Sequence, residues 1–304
     1  MLKLLKLLSF FILINKYMFA YDFPIIDAHS QVDHKVDLNK IIKLMDKAGV
    51  SKTILSARGK LKANKLLEFS NNNESRIVPA IRTKGNHYIE DTEKYYRILS
   101  KQNNMNGFGA IAEVILWHAK KGNKAPEVIV FPEDNRVLIA LEVAKNKNWP
   151  FIIHIEFSAI GNDKIIFMNK FKKFLFENPD TVFVLNHIGQ LNTNEVNSLI
   201  NEFPNINFIT AHTNPIVLNR SSQPWTNMFD GNIFTGYKLN NNWKELIIKY
   251  PNRFILGFDN VFPEHWGDLY LDQVSLWKET LNKLPLNVAK KVAFENAQRL
   301  WHIK

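Results

Sequence analysis

The sequence predicts an α/β protein of one domain, a (β/α)8 (TIM) barrel behind a short N-terminal leader. Three observations predict it. Short, nearly continuous apolar runs recur about eight times, each separated from the next by a stretch of helical periodicity. Strands apolar on both faces belong to parallel sheets covered by helices, and eight such units suffice to close a barrel. No Gly-rich dinucleotide fingerprint follows any strand, which counts against the main rival, a doubly wound open sheet.

The elements follow in order. Ile25–His29 is the first strand, and simple alternation puts Asp27, His29 and Gln31 on one face. Leu38–Ala48 carries Ile41, Ile42 and Met45 on one helical face and stops at Gly49. Thr53–Ser56 is a strand, Leu61–Phe69 a helix, Ile77–Arg82 a strand and Glu90–Leu99 a polar helix. Phe108–Leu116 is the fourth strand, and Asp134 caps the next helix. Pro150–Glu156, Thr181–Asn186, Ile206–Thr210 and Phe254–Gly257 are strands five to eight. Helices near Asp163–Phe176, Thr193–Glu202 and Trp243–Lys249 separate them, and a longer loop runs through Pro215, Pro224 and Gly231. Helices near Gln273–Leu281 and Leu286–Leu300 finish the chain.

The 304 residues are 46% hydrophobic and 22% charged, enough for a large core. The absence of cysteine excludes disulfides, cysteine-ligated zinc and a thiol nucleophile. At the N-terminus Lys3 and Lys6 precede the apolar run Leu7–Ile14, and Ala20 offers a small residue before Tyr21. Residues 1–20 read as a secretory signal peptide, leaving residues 21–304 as the barrel domain of a periplasmic or secreted protein. The apolar run is short for a membrane span; Lys16 and Met18 keep an uncleaved anchor as the alternative, and no later stretch is apolar enough to span. The net charge of +10 falls to +7 without Lys3, Lys6 and Lys16. The remaining lysines are interspersed with acids, and no arginine-rich strip suggests nucleic acid.

Barrel enzymes collect their chemistry at the carboxyl ends of strands. Here those ends carry Asp27 and His29, Glu113, His154 and Glu156, His187, His212 and Asp259. Each alone is explained by a capped turn or a loop hydrogen bond. Together, imidazoles and carboxylates converging on one axis suit Zn²⁺ first, or Mn²⁺ or Fe²⁺. Four residues are candidates for substrate contact: Arg82 ending the third strand, His118 in the fourth βα loop, His212, and His265 beside Trp266 in the last. The partner expected is a small-molecule substrate, and a homodimer is compatible with this reading.

Several of these pieces resemble the amidohydrolase superfamily, and more closely its amidohydrolase-related (amidohydrolase 2) branch. They are Ile26-Asp27-Ala28-His29, His154 on the fifth strand, His187-Ile188-Gly189 on the sixth, and Gly257-Phe258-Asp259 with Pro263 beyond it. Asn296-Ala297-Gln298-Arg299 resembles the family's closing helix, so the likeness runs from about Ile25 to the end. The resemblance implies that His29 and His154 bind metal. Asp259 would bind metal or act as general base, and His187 would be a second-metal ligand or a catalytic residue that orients water. The implied reaction is hydrolysis of an amide, ester or lactone, with decarboxylation or phosphoester cleavage as alternatives.

The family's opening His-x-His is His29-Ser30-Gln31 here. Gln31 offers an amide oxygen to the metal in place of imidazole. Otherwise Asp33 or His34 reaches in from the loop, or the site is a decayed one in a non-catalytic binding protein. Glu113 is either a further metal ligand or a group that orients the ligand histidines.

Overall fold

The computed structural model describes residues 23–122, 125–220 and 223–304. The expected signal peptide, residues 1–20, lies outside the described residues. Twelve strands are found among the described residues: β1 (Ile25–Val32), β2 (Val50–Ala57), β3 (Ile77–Ile81), β4 (Ala110–Ile111), β5 (Val114–His118), β6 (Val128–Ile129), β7 (Phe151–Ile155), β8 (Phe183–Leu185), β9 (Ile206–Ile209), β10 (Phe229–Asn232), β11 (Gly236–Leu239) and β12 (Phe254–Ile255). Eight parallel barrel strands result. β1 to β4 pair in sequence, and β5, β7, β8, β9 and β12 pair in sequence. β4 and β5 are one barrel strand broken at Ala112-Glu113, and the Ala112 N–H still reaches the Ile81 carbonyl at 2.9 Å. Between β1 and β12 the ring closes through Ala28 N to Leu256 O (3.0 Å), Asp259 N to His29 O (2.7 Å) and Gln31 N to Asn260 O (2.7 Å).

Each barrel strand sends at least one residue to the axis: Ile26, Ile54, Ala80, Ala110, Ile152, Val184, Ile209 and Ile255, with Ala28, Ala112 and Ala211, form an interior cluster. Ala297, Leu300 and Trp301 from the last helix belong to the same cluster and plug the amino end. A second, larger core fills the space between strands and outer helices. At about 25 cal/mol per Å² of apolar area, these two layers are the main source of stability. Caps follow ordinary chemistry: Asn192 and Glu195 form a capping box on Thr193–Glu202, and Gly49 ends Leu38–Ala48 at φ 72°.

Four expectations need correction. The fourth strand is interrupted rather than continuous. The long seventh loop contains a helical turn, Pro215–Leu218, and the β10–β11 hairpin. The final helix is split by a π turn, Lys291–Glu295, whose Val292 carbonyl accepts the Leu256 N–H at 3.0 Å. The fourth correction concerns β1. Its register on β2 runs Asp27 to Thr53 and then Ser30 to Leu55, so β1 carries one extra residue, a bulge at Ala28-His29. Alternation therefore resets. Ile26 and Ala28 face the axis, and His29 and Gln31 meet the groups at its carboxyl end. Asp27 and Ser30 turn to the outer side, where Ser30 Oγ donates to Asp27 at 2.6 Å.

Candidate metal centre

The outward Asp27 is a latch across the β1–β12 closure. Its carboxylate accepts the Phe258 N–H at 2.9 Å, the His29 N–H at 3.3 Å and the Ser30 hydroxyl. Ser30 in turn accepts the Asn260 N–H at 3.0 Å. Burial pushes the Asp27 carboxyl up to about 7, against these three donors and the nearby His29. This latch fixes His29 relative to Asp259.

Two buried carboxylates organise the inward side. Glu113 stands at the break between β4 and β5, where it is free of the ladder's alternation. Its Oε1 meets the Lys84 ammonium, Gln31 Nε2 at 3.3 Å and His29 Nε2 at 3.5 Å. Its Oε2 meets His154 Nδ1 at 3.0 Å and Asn186 Nδ2 at 2.6 Å. Burial alone would raise this acid; Lys84, His154 and His29 hold it well below the usual carboxylate range. Asp259 Oδ1 accepts from Gln31 Nε2 at 2.8 Å and lies 3.4 Å from His29 Nε2. Its Oδ2 lies 3.3 Å from His187 Nε2. Burial and Glu113 push Asp259 up, and His187, His29 and His212 more than offset them.

The four central histidines differ. Burial lowers His29 and His154, but Glu113 and the other acids beside them bring both above the ordinary imidazole value. His154 bridges Glu113 and Glu156 (Nε2 to Oε1, 3.1 Å), so in this arrangement both its nitrogens are engaged. His187 is lowered by burial despite Asp259, and His212 is lowered further, by burial and by His187 stacked on it at 4.8 Å. His187 Nδ1 sits 3.1 Å from the Ala211 carbonyl. That contact puts the proton of the neutral ring on Nδ1 and leaves the Nε2 lone pair towards Asp259.

Backbone strain is concentrated here. His187, Ile188, His212 and Asp259 all have left-handed φ, from 45° to 55°. Such a conformation costs about 1–2 kcal/mol per non-glycine residue, more for the branched Ile188. The β8 strand turns out of the sheet through this segment, and Gly189 continues it at φ 64°, where a Cβ would lie 2.5 Å from Leu185 Cδ2.

The other predicted residues lie around this cluster. His118 is at the rim, its ring 5.4 Å from that of His154, and burial pushes it down to about 3. His265 is half-buried, 6.0 Å from the His212 ring, and its Nδ1 accepts the Val261 N–H at 3.1 Å. Arg82 spends its guanidinium on the Lys84 and Gly59 carbonyls. Asp33 and His34 do not enter the centre: Asp33 accepts the Lys35 N–H at 2.7 Å, and His34 is exposed.

Sequence reasoning missed Lys84, Asn186, Lys121 and Trp225. Lys121 pairs with Glu156 at 2.9 Å and lies 4.4 Å from the Trp225 ring centre. Trp225 covers His187 and His212 at 4.9 and 5.2 Å. For Lys84 a signal existed, since Arg82-Thr83-Lys84-Gly85 is a polar strand end like the others. For Trp225 none did.

The donor set fits a divalent cation. His29 Nε2 is buried without a hydrogen-bond partner, between two carboxylates. Ligand atoms of His29, Glu113 and Asp259 all lie within 4.8 Å of one another, as do those of His187, His212 and Asp259. Imidazole nitrogen with carboxylate oxygen suits zinc, manganese or iron. Gln31 turns its amide nitrogen to the acids and leaves Oε1 buried and unpartnered; a half-turn of the amide would present that oxygen instead.

No protein-family model matches the chain, and no curated protein matches it. Solved structures do. A 2,6-dihydroxybenzoate decarboxylase from Rhizobium aligns over 92% of this chain and 98% of its own, with 13% identity and a TM-score of 0.56. A probable 2-pyrone-4,6-dicarboxylic acid hydrolase from Acinetobacter baumannii aligns over 92% and 100%, with 13% identity and a TM-score of 0.52. An amidohydrolase from Burkholderia multivorans with bound HEPES aligns over 93% and 100%, with 11% identity and a TM-score of 0.57. The Burkholderia protein is also known with bound zinc, and that structure aligns with 10% identity and a TM-score of 0.50. The chain thus has the (β/α)8 fold of the amidohydrolase-type barrels that its strand-end motifs resemble.

Proposed function

We propose that the chain is a metal-dependent enzyme of the amidohydrolase superfamily, cleaving an amide, ester or lactone bond in a small molecule. The observation that carries this reading is His29 Nε2, buried without a hydrogen bond and set 3.5 Å from Glu113 and 3.4 Å from Asp259 at the carboxyl end of the barrel. His29, Glu113 and Asp259 would hold the ion, with Gln31, His154 and His187 beside them. Zinc, bound by the Burkholderia multivorans amidohydrolase, is the first candidate. A bound divalent ion would activate water and polarise the scissile carbonyl.

The chain's own residues do the rest. Asp259 is ionised at neutral pH and acts as general base, taking the proton of the attacking water and returning it to the leaving group. His187, its tautomer set by Ala211, turns its Nε2 lone pair to the centre, where it accepts from the attacking water and orients it. Trp225 and Lys121 shield the imidazoles from bulk water. Residues 1–20 would export the enzyme to the periplasm or beyond the cell.

Decarboxylation is the alternative chemistry, since a decarboxylase and a probable hydrolase both share the fold. A second reading, a non-catalytic binding barrel, is favoured by one observation: Gln31 and Lys84 place hydrogen-bond donors on the acids where a cation belongs. The test is turnover of ester, lactone, amide and aryl-carboxylate panels by metal-loaded and chelator-stripped protein, following acid release and CO₂ separately. Hydrolysis that is lost on stripping and lost in Asp259→Asn supports the proposal. CO₂ release alone would assign decarboxylation, and inactivity of loaded protein throughout would favour the binding barrel.

A further inference from the structure

Lys84 is held in place by its surroundings. Gln102 grips the Arg82 backbone on both sides, accepting its N–H at 3.1 Å and donating to its carbonyl at 3.2 Å. Arg82 Nε donates to the Lys84 carbonyl at 2.8 Å and Nη1 to the Gly59 carbonyl at 2.9 Å. Thr83, fully buried, hydrogen-bonds the Glu113 carbonyl. Gly85 has φ 131°, and a Cβ there would lie 2.5 Å from Arg82 Nη2. The segment therefore delivers a lysine side chain only 19% exposed to Glu113 Oε1. That same oxygen lies 3.5 Å from His29 Nε2, which has no hydrogen bond.

We infer that Lys84 is a resident cation that competes with the divalent ion for Glu113, a role that rests on the metal reading above. Glu113 and Asp259 are two buried acids facing one imidazole, and buried charge needs a partner. In the chain without an ion the Lys84 ammonium and the Gln31 amide supply it together with His29 and His154. An ion entering beside His29 must displace the ammonium from Oε1 and bear its repulsion at close range. Lys84 thus weakens metal binding while keeping the empty centre folded.

The test is zinc titration of untagged, chelator-stripped full-length protein against a chromophoric chelator, for wild type, Lys84→Met and Lys84→Gln. Lys84→Gln keeps a donor for Glu113 without the charge and guards against loss of fold, which circular dichroism checks. Removing one charge next to a divalent ion should tighten zinc binding by about ten-fold or more. Wild-type zinc binding with equal or weaker affinity in both variants overturns the role of Lys84 and leaves the metal reading standing. No zinc bound by any of the three overturns both.

Discussion

Asp27 and Gln31 show how far single side chains determine this site. Asp27 holds its proton in the fold at pH values where the unfolded chain has released it, because burial raises it from 3.8 to about 7. Its contribution is complete below about pH 4 and is lost as pH rises towards 7. Urea unfolding of wild type and Asp27→Asn should therefore show the wild type losing stability relative to the variant between pH 4 and 7. A difference independent of pH would contradict the buried latch. Gln31 is the residue at which the family resemblance breaks, and its nitrogen, not its oxygen, faces the acids. Gln31→His restores an imidazole and should strengthen zinc affinity by roughly ten-fold, a modest effect because the neighbouring donors remain. The presence of His29, His154, His187 and Asp259 near one axis was legible, since each ends an apolar strand. Lys84 stood at a polar strand end in the sequence, but its aim at Glu113 was not legible, because that depends on Gln102 and Gly85, one a helix away and the other a backbone effect.

At the scale of elements, two irregularities do more than the regular strands. The bulge in β1 lets Asp27 face outward while His29 and Gln31 face the centre, which strict alternation forbids. The break between β4 and β5 frees Glu113 to meet five neighbours. Neither irregularity is visible in the sequence, where a period of two is counted as if the ladder were unbroken. The strand order and the helices between were visible, because continuous apolar runs and caps are local signals. Barrel closure depends on close approach at Gly257, where a Cβ would lie 2.6 Å from Ile209 Cγ2 and 3.5 Å from the His29 nitrogen. Gly257→Ala should cost about 1–3 kcal/mol by overpacking the axis. The expected signature is a lower urea midpoint with an unchanged slope.

For the whole molecule, the closed barrel is the scaffold and the charged centre is its least self-sufficient part. Two buried acids, strained left-handed turns at His187 and Asp259, and a His29 nitrogen without a hydrogen bond all sit at the carboxyl mouth. An ion bound there would stabilise the folded state by mass action, about 2.7 kcal/mol at a hundred-fold excess over Kd. Zinc should accordingly raise the melting temperature of stripped protein, and a chelator should lower it again. No helix among the described residues is long and apolar enough to cross a membrane. The measurement that bears most directly on the metal centre is elemental analysis of untagged protein after incubation with zinc or manganese, alongside His29→Ala and Asp259→Asn variants confirmed as folded. Near-stoichiometric metal in the wild type that falls sharply in both variants is the predicted result; a wild-type protein that retains no metal would contradict the account.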